Sequence, residues 1–474
     1  MSHKSPANPL IAIIGATGTG KSQLAVELAT RFDGEVVNGD AMQLYAGLPI
    51  ITNKISQDER KGIPHHLLGC IGLEEQTWTV GPFVENALEK IQEIRSRGRV
   101  PILVGGTHYY TQSLLFRDAL AAEKPDTKPE QRKNQPWPIL QESTDVMLGK
   151  LREVDPIMAD RWHPNDHRKI QRSLEIWLQT GRKASDIYQE QQSSRNAFSA
   201  AKRDIKNTAE DALTQSLLRF PTILFWIHAE TDVLRQRLDK RVHTMLSAGL
   251  LTEVQRLENF ARKLQAVGEP VDESRGIWVS IGYKEFKPYQ DALMHGDGDG
   301  KLLEQLRGEA IEKMQAGTRQ YAKKQTRWIR IKLLHALSAA KAKDNLFVLD
   351  GTDLDHWQSN VRQPAEELVQ RFLGGQELPE PAQVSPSAAH MLTPKREYDM
   401  STQRDSWVRQ TCEICNVTAV RESDWTQHVQ SRGHRKAIRS IEKRTDTNIS
   451  ASSDTSQAGQ VRTEPVATDA VEVK

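Results

Sequence analysis

A disulfide framework is excluded first, because this 474-residue chain has only three cysteines, too few for a set of bridges. Two of them, Cys412 and Cys415, stand as a Cys-x-x-Cys pair, which fits a reducing compartment. Long apolar runs are also missing. The longest, Leu10 to Ile14 and Ile223 to Ile227, fall far short of the roughly 18 residues that a membrane span needs. No apolar stretch with a cleavage site precedes the first strand-like run, so no secretory signal is read. These absences argue against integral membrane, secreted and fibrous classes. Net charge is scarce as well. The 64 Lys and Arg against 62 Asp and Glu leave only +2, so any nucleic-acid surface must be local. What the chain does have is 38% hydrophobic and 27% charged residues, enough for a sizeable core with polar linkers and tails left over. The length allows about three domains.

Short apolar runs at Pro9 to Ile14, Glu35 to Val37, Val100 to Val104, Thr222 to Ile227 and Asn345 to Leu349 read as strands. Helical patterns alternate with them, at Ser22 to Thr30 and at Phe83 to Arg97 with Gly98 as the cap. That alternation predicts an α/β fold with a mostly parallel, doubly wound sheet. The expected organisation is a catalytic domain from residues 1–117 and 218–373, interrupted by an inserted helical subdomain at 118–217 that carries polar insertions. A linker over 374–406, a small module over 407–444 and a disordered tail over 445–474 follow. Within the insertion, Asp166 can cap a helix with Ile170, Leu174, Trp177 and Leu178 on one side and Arg168, Lys169 and Arg172 on another. A long basic helix is read over Glu304 to Leu337. No internal repeat is present.

Gly15-Ala16-Thr17-Gly18-Thr19-Gly20-Lys21-Ser22 matches G-x-x-x-x-G-K-[ST] between a strand and a helix. In such a loop the backbone N–H groups and the helix N-terminus face a pyrophosphate, the lysine neutralises its oxygens, and the serine hydroxyl can hold Mg²⁺. A phosphoryl-transferring enzyme would also place a carboxylate at the end of a second apolar strand. Val100 to Val104 ends instead in Gly105-Gly106-Thr107, which weakens that reading. Asp40, after the second strand, can serve as a general base or hold a metal through water. Arg241 and Arg237, four apart on one helix, can stabilise leaving-group charge. His65-His66 lacks further ligands at metal spacing and reads as structural. Cys412-x2-Cys415-x12-His428-x5-His434 has the ligand types and spacing of a structural tetrahedral Zn²⁺ site. Basic residues crowd its helical end, which suits RNA phosphates, although a single finger can equally bind protein.

These residues together resemble the tRNA dimethylallyltransferases, also called tRNA isopentenyltransferases, over about residues 9 to 335. GATGTGKS is generic. DAMQLY with TNK, IPHHLLG, VGGTHYY, HPNDHRKIQRSLEIWLQTGR, SIGYKEF and TRQYAKKQTRWIR are the more specific stretches. The C-terminal finger resembles that of eukaryotic members, while the polar insertions near 118–150 and 190–215 depart from compact bacterial ones. The resemblance implies a P-loop NTPase-like fold. It also implies transfer of a dimethylallyl group from dimethylallyl diphosphate to N6 of the adenosine 3′ to the anticodon. It makes Asp40 the base, with Thr107, Lys21 and Arg241 as its catalytic companions. Gly15 to Ser22 and Arg237 would hold the diphosphate with Mg²⁺. Gln43, Tyr45, Asn165, Asp166, Arg168, Gln325, Arg327 and Trp328 would touch the tRNA anticodon arm. A monomer in the cytoplasm is expected, with nuclear and mitochondrial fractions left open and no membrane partner. The competing readings are a P-loop small-molecule kinase and a noncatalytic RNA-binding adaptor.

Overall fold

The computed structural model describes residues 5–75, 77–117, 137–190, 193, 217–269, 271–296, 300–393, 409–420 and 422–441. Most of the polar insertions, the second half of the expected linker and the tail lie outside them. The chain forms two compact units. One comprises Met1–Asp126 with Tyr188–Tyr398, the other Thr127–Ile187 with Asp399–Lys474. Among the described residues no helix is long and apolar enough to cross a membrane.

The first unit is built on a six-stranded sheet of β1 (Leu10–Gly15), β2 (Gly34–Asn38), β3 (His65–His66), β4 (Val100–Val104), β5 (Thr222–His228) and β6 (Leu346–Asp350). Their order is β3-β2-β4-β1-β5-β6, and every pairing is parallel. The β1 sequence explains its central place. Leu10, Ala12 and Ile14 face one core while Ile11 and Ile13 face the other, so an unbroken apolar run fills both sides of the sheet. The first core is covered by Val80–Ser96, labelled α2, through Phe83, Val84, Ala87, Ile91 and Ile94. The second is covered by α1 (Lys21–Arg31) and by Gln363–Leu373. Five strands match the sequence reading within a residue. β3 adds a two-residue edge strand that is too short to carry a period.

Three more helices of this unit bear on function: α3 (His108–Leu115), α5 (Thr231–Ser247) and α6 (Gly300–Trp328). The insertion leaves and returns at one place. Phe116 bridges Leu218 in antiparallel fashion, and Arg117 N–H donates to Leu217 O at 2.9 Å. The expected linker differs from the structure in its first half. Pro381, Ala388, Met391 and Leu392 are buried, and Ser385 Oγ donates to Val348 O at 2.8 Å. The apolar residues spaced through this Pro- and Ser-rich stretch give it a packing face.

In the second unit, α4 (His167–Thr180) is capped by Asp166, whose carboxylate accepts from Lys169 N–H at 3.3 Å. Its buried side holds Ile170, Gln171, Ser173, Leu174 and Ile176, so Ile176 replaces the half-buried Trp177 and Leu178 of the sequence reading. The strands β7 (Gln410–Cys412) and β8 (Val417–Ala419) pair as a hairpin before Glu422–Val429. This finger belongs to the same compact unit as the inserted helices, and His163 Nε2 lies 3.0 Å from Thr418 O.

Candidate active site

Parallel strands deliver their loops to one edge of the sheet, and the carboxyl ends of β1, β2 and β4 carry the loops of interest. After β1 the Gly15–Gly20 loop turns into α1, which begins at Lys21 with Ser22 half-buried behind it. Gly20 adopts φ +93, and a Cβ there would stand 2.5 Å from the Trp357 ring. Trp357 is fixed from behind by its Nε1 donating to Glu27 Oε2 at 3.0 Å. After β2 comes Asp40, and after β4 come Gly105, Gly106 and Thr107. A Cβ on Gly105 would collide with the Gly39 backbone, so this glycine allows the two loops to meet. Ala41 N–H donates to Thr107 Oγ1 at 3.0 Å, which ties the Asp40 loop to the Gly-Gly-Thr loop.

The groups suited to gripping an anion are held by internal acceptors. Lys21 Nζ donates to Ala16 O at 2.7 Å and Thr19 Oγ1 to the same oxygen at 2.9 Å. Arg241, from α5, donates to Thr17 Oγ1 at 3.0 Å, while its buried Nε has no hydrogen-bond partner. Thr17 N–H donates to Gln325 Oε1 at 2.7 Å, and Gln325 Nε2 donates to Gly106 O at 2.9 Å. The side chain of α6 thus bridges the β1 and β4 loops.

Burial sets the electrostatics. It lowers Lys21 to about 8, an effect that Asp40 opposes. It lowers Arg241 to about 10, again against Asp40. It raises the Asp40 carboxyl above the ordinary range, while the Met42 amide and the charges of Lys21 and Arg241 hold it down. The carboxylate and the two cations therefore feel one another across a single centre. A buried cation pair that costs free energy when empty is relieved by a doubly charged anion, and a carboxylate raised toward neutrality is a better proton acceptor than an exposed one.

The structure brings together Gly15 to Ser22, Asp40, Thr107 and Arg241. The other expected residues are placed as follows. Arg237 donates to the carbonyls of Gly351 and Thr352, so it braces the loop after β6. Tyr45, expected on RNA, is only 3% exposed, with its hydroxyl donating to Thr77 Oγ1 at 2.9 Å, so it is a core residue. Gln325, also expected on RNA, is 4% exposed and lies between the β1 and β4 loops. Gln43 is half-buried and donates to Asn53 O at 3.1 Å. Arg327 is exposed and Trp328 half-buried at the end of α6. Asn165, Asp166 and Arg168 lie in the second unit, where Asn165 and Arg168 are exposed. His65 and His66 are structural: His65 Nδ1 lies 2.8 Å from Ile63 O and His66 pairs with buried Glu35. Arg319 of α6 pairs with Asp239, and Arg330, just beyond α6, donates to the carbonyls of His390 and Thr393.

Two residues of the centre were missed. Tyr321 lies one turn before Gln325. Its hydroxyl pairs with Thr107 and Gln325, and burial beside Asp40 raises its pKa. His108 is 4% exposed with neither ring nitrogen hydrogen-bonded. Burial, assisted by Lys21, lowers it to about 3 and keeps it neutral. Both stand in stretches that already carried the resemblance, but only the tertiary fold turns them inward.

In the finger, the ligand atoms of Cys412, Cys415, His428 and His434 all lie within 4.8 Å of one another. His434 Nδ1 is 3.6 Å from Cys412 Sγ and 3.4 Å from Cys415 Sγ. A tetrahedron with Zn–S near 2.3 Å and Zn–N near 2.0 Å has an S···N edge of about 3.5 Å, so the donor set fits zinc. The buried Nε2 of His428 has no other partner, as a ligand nitrogen requires.

A family model described as IPP transferase matches residues 43–332, and one described as a zinc-finger of C2H2 type matches residues 411–434. The tRNA dimethylallyltransferase of Schizosaccharomyces pombe is 35% identical over 459 residues, covering 93% of this chain and 97% of that protein. The tRNA dimethylallyltransferase of Homo sapiens is 33% identical over 428 residues, covering 90% of this chain and 85% of that protein. Among solved structures, a eukaryotic dimethylallyltransferase acting on tRNA matches with a TM-score of 0.71 and 33% identity, over 93% of this chain and 99% of that one. The family-model match spans more than half of the chain and the similarity to curated tRNA dimethylallyltransferases runs over nearly its whole length, so the chain belongs to the IPP transferase family.

Proposed function

We propose that this protein transfers a dimethylallyl group from dimethylallyl diphosphate to N6 of the adenosine that follows the anticodon in tRNA. The observation that carries the reading is the meeting of three loops at one sheet edge, where Ala41 N–H donates to Thr107 Oγ1 at 3.0 Å and Arg241 donates to Thr17 Oγ1 of the glycine-rich loop at 3.0 Å. The diphosphate lies in the loop from Gly15 to Ser22. Lys21 leaves Ala16 O, and Arg241 turns its unpartnered Nε, to meet the leaving oxygens. The N6 amine attacks C1 of the prenyl group. The N–C1 bond forms, the C1–O bond to diphosphate breaks, and the N6 proton passes to the Asp40 carboxylate. Thr107, held by Ala41 and Tyr321, orients the amine. An exocyclic amine is a weak nucleophile, so alignment and leaving-group stabilisation carry most of the rate. A Mg²⁺ ion, held by Ser22 and the phosphates, would supply further charge neutralisation.

The adenosine must leave the stack, which costs less in an anticodon loop than in a duplex. Gln43, Arg327 and Trp328 of the first unit contribute RNA contacts, as do Asn165, Asp166 and Arg168 of the second. The basic end of the finger adds phosphate contacts. The test is to incubate it with dimethylallyl diphosphate and unmodified tRNA, digest the RNA and seek N6-prenylated adenosine. A tRNA with guanosine at that position should give no product. Phosphate transfer from a nucleoside triphosphate to a small molecule, with no prenyl transfer, would replace this reading by the kinase.

A further inference from the structure

The phosphate loop rests on a tryptophan that the chemistry above does not use. Trp357 is 6% exposed. Its ring fills the space where any side chain at Gly20 would stand, two of its carbons lying 2.5 and 2.7 Å from that Cβ position. At the other end of the ring, Nε1 donates to both oxygens of Glu27, at 3.2 and 3.0 Å. Gly20 and Glu27 are separated by about two helical turns and so share a face. The indole therefore lies along the start of α1, from the glycine that closes the loop to a carboxylate that anchors the ring. Leu24 and Leu28 of α1 belong to the same buried cluster as Trp357.

The segment that leads to Trp357 is itself fixed. Gly351 N–H donates to His228 O at 2.8 Å, Thr352 N–H donates to Asp350 Oδ1 at 2.9 Å, and Arg237 of α5 holds the carbonyls of both residues. A Cβ on Gly351 would stand 3.4 Å from Thr19 O and 3.4 Å from the Trp357 ring, so this segment packs against the phosphate loop. The helix α5 thus serves the loop twice. Arg241 reaches Thr17 directly, and Arg237, one turn earlier, secures the chain that delivers the tryptophan. The consequence is directional. A helix N-terminus grips phosphate only when its N–H groups point at the anion. The left-handed glycine before Lys21 leaves the turn free to tilt, and an anchored ring against Gly20 removes that freedom.

We infer that Trp357, anchored by Glu27, is a positioning residue for the leaving diphosphate. It acts through Gly20, by fixing the directions in which the loop amides and Lys21 meet the phosphates. The inference rests on the reading that the loop from Gly15 to Ser22 holds the diphosphate, and it deepens that reading by naming what sets the shape of the loop. A misdirected cradle costs most when charge collects on the leaving oxygens.

The test uses the full-length protein and inorganic pyrophosphate with Mg²⁺. The chain has ten tryptophans, so fluorotryptophan labelling needs an assignment: the Trp357 signal is the one that Trp357→Phe removes. Saturating pyrophosphate should shift that fluorine signal, and anticodon stem-loop RNA alone should leave it in place. By calorimetry, Trp357→Leu should weaken pyrophosphate binding about ten- to a hundredfold, as loss of a residue that orients ligand groups does. Glu27→Ala keeps the ring but removes its anchor, and should weaken binding in the same direction by less. Stem-loop affinity without donor should not change in either variant. If Trp357→Leu does not fold, Glu27→Ala and the fluorine signal decide. Pyrophosphate that binds without moving the signal, or binds both variants as tightly as the unsubstituted protein, would overturn the inference. So would an equal loss of stem-loop affinity, which marks a merely structural role. An unsubstituted protein that does not bind pyrophosphate would refute the diphosphate site itself, and the inference with it. The predicted binding pattern without prenyl transfer would support the positioning role and refute the proposed reaction.

Discussion

Asp40→Asn exchanges one oxygen for nitrogen and separates the two roles that the centre assigns to this residue. The loop should keep its shape, because Asp40 Oδ1 accepts from Met42 N–H at 3.0 Å and an amide oxygen can accept the same bond. What changes is charge. The carboxylate partly cancels the field of Lys21 and Arg241, as their mutual effects on protonation show. Unit charges beyond contact distance but within one centre interact by roughly 2 kcal/mol at an effective dielectric near 20, and salt with partial exposure reduces this to about 1 kcal/mol. Removing the charge should therefore tighten inorganic pyrophosphate binding about fivefold. Removing the proton acceptor should lower single-turnover prenyl transfer by about 10²- to 10⁴-fold. The pH profile gives a third readout. In the unsubstituted protein kcat/KM for the donor should fall above about pH 8 as Lys21 loses its proton. In Asp40→Asn that limb should move to lower pH, because the carboxylate is one of the groups that raise Lys21. Calorimetry with pyrophosphate and rapid quench at saturating tRNA and donor make the comparison. Turnover within about fivefold of the unsubstituted protein, or a loss of turnover matched by an equal loss of pyrophosphate affinity, would refute the reasoning.

Three further outcomes follow from other parts of the molecule. Gly20→Ala should lower stability by at least about 1–2 kcal/mol from the left-handed conformation alone, and more from the contact with Trp357, which a thermal melt with and without pyrophosphate would read. Glu35 is buried, which alone would raise its pKa, yet hydrogen bonds from Arg97, His66 and Arg99 hold it at about 2. Its folded pKa is depressed from 4.5, so its contribution is fully present above about pH 4.5 and is lost as pH falls toward 2. Glu35→Gln should flatten that acid limb and cost near the lower end of roughly 3–5 kcal/mol, because both arginines can recover water. Cys412→Ser, or chelation, should unfold the finger and weaken tRNA affinity modestly while single-turnover transfer at saturating tRNA persists. Abolished transfer would contradict that division.

Much of this was legible because the decisive signals are local. The glycine-rich loop, Asp40 and Thr107 each follow an apolar run, so finding the strands placed the three groups at one sheet edge. The finger was legible for the same reason, its ligands falling within 23 residues. What was not legible depends on contacts between distant segments. Trp357 under Gly20 and Gln325 on Thr17 arise from packing across more than 300 positions. Charge alone could not tell Arg241, which reaches Thr17, from Arg237 one turn away, which holds the loop after β6. The basic stripe of α6 concealed that Gln325 and Tyr321 face inward. The Pro- and Ser-rich composition of residues 381–392 likewise concealed a packing face. Tyr45 misled because a motif residue can belong to the core beneath a site.

The most direct test of the account is a single-turnover reaction with a donor labelled on both its prenyl carbon and its phosphorus, given anticodon stem-loop RNA and no nucleoside triphosphate. One prenyl carbon should appear on adenosine N6 for each pyrophosphate released, with no phosphorus on the RNA. Pyrophosphate released without carbon on the RNA, or a strict requirement for nucleoside triphosphate hydrolysis, would contradict it.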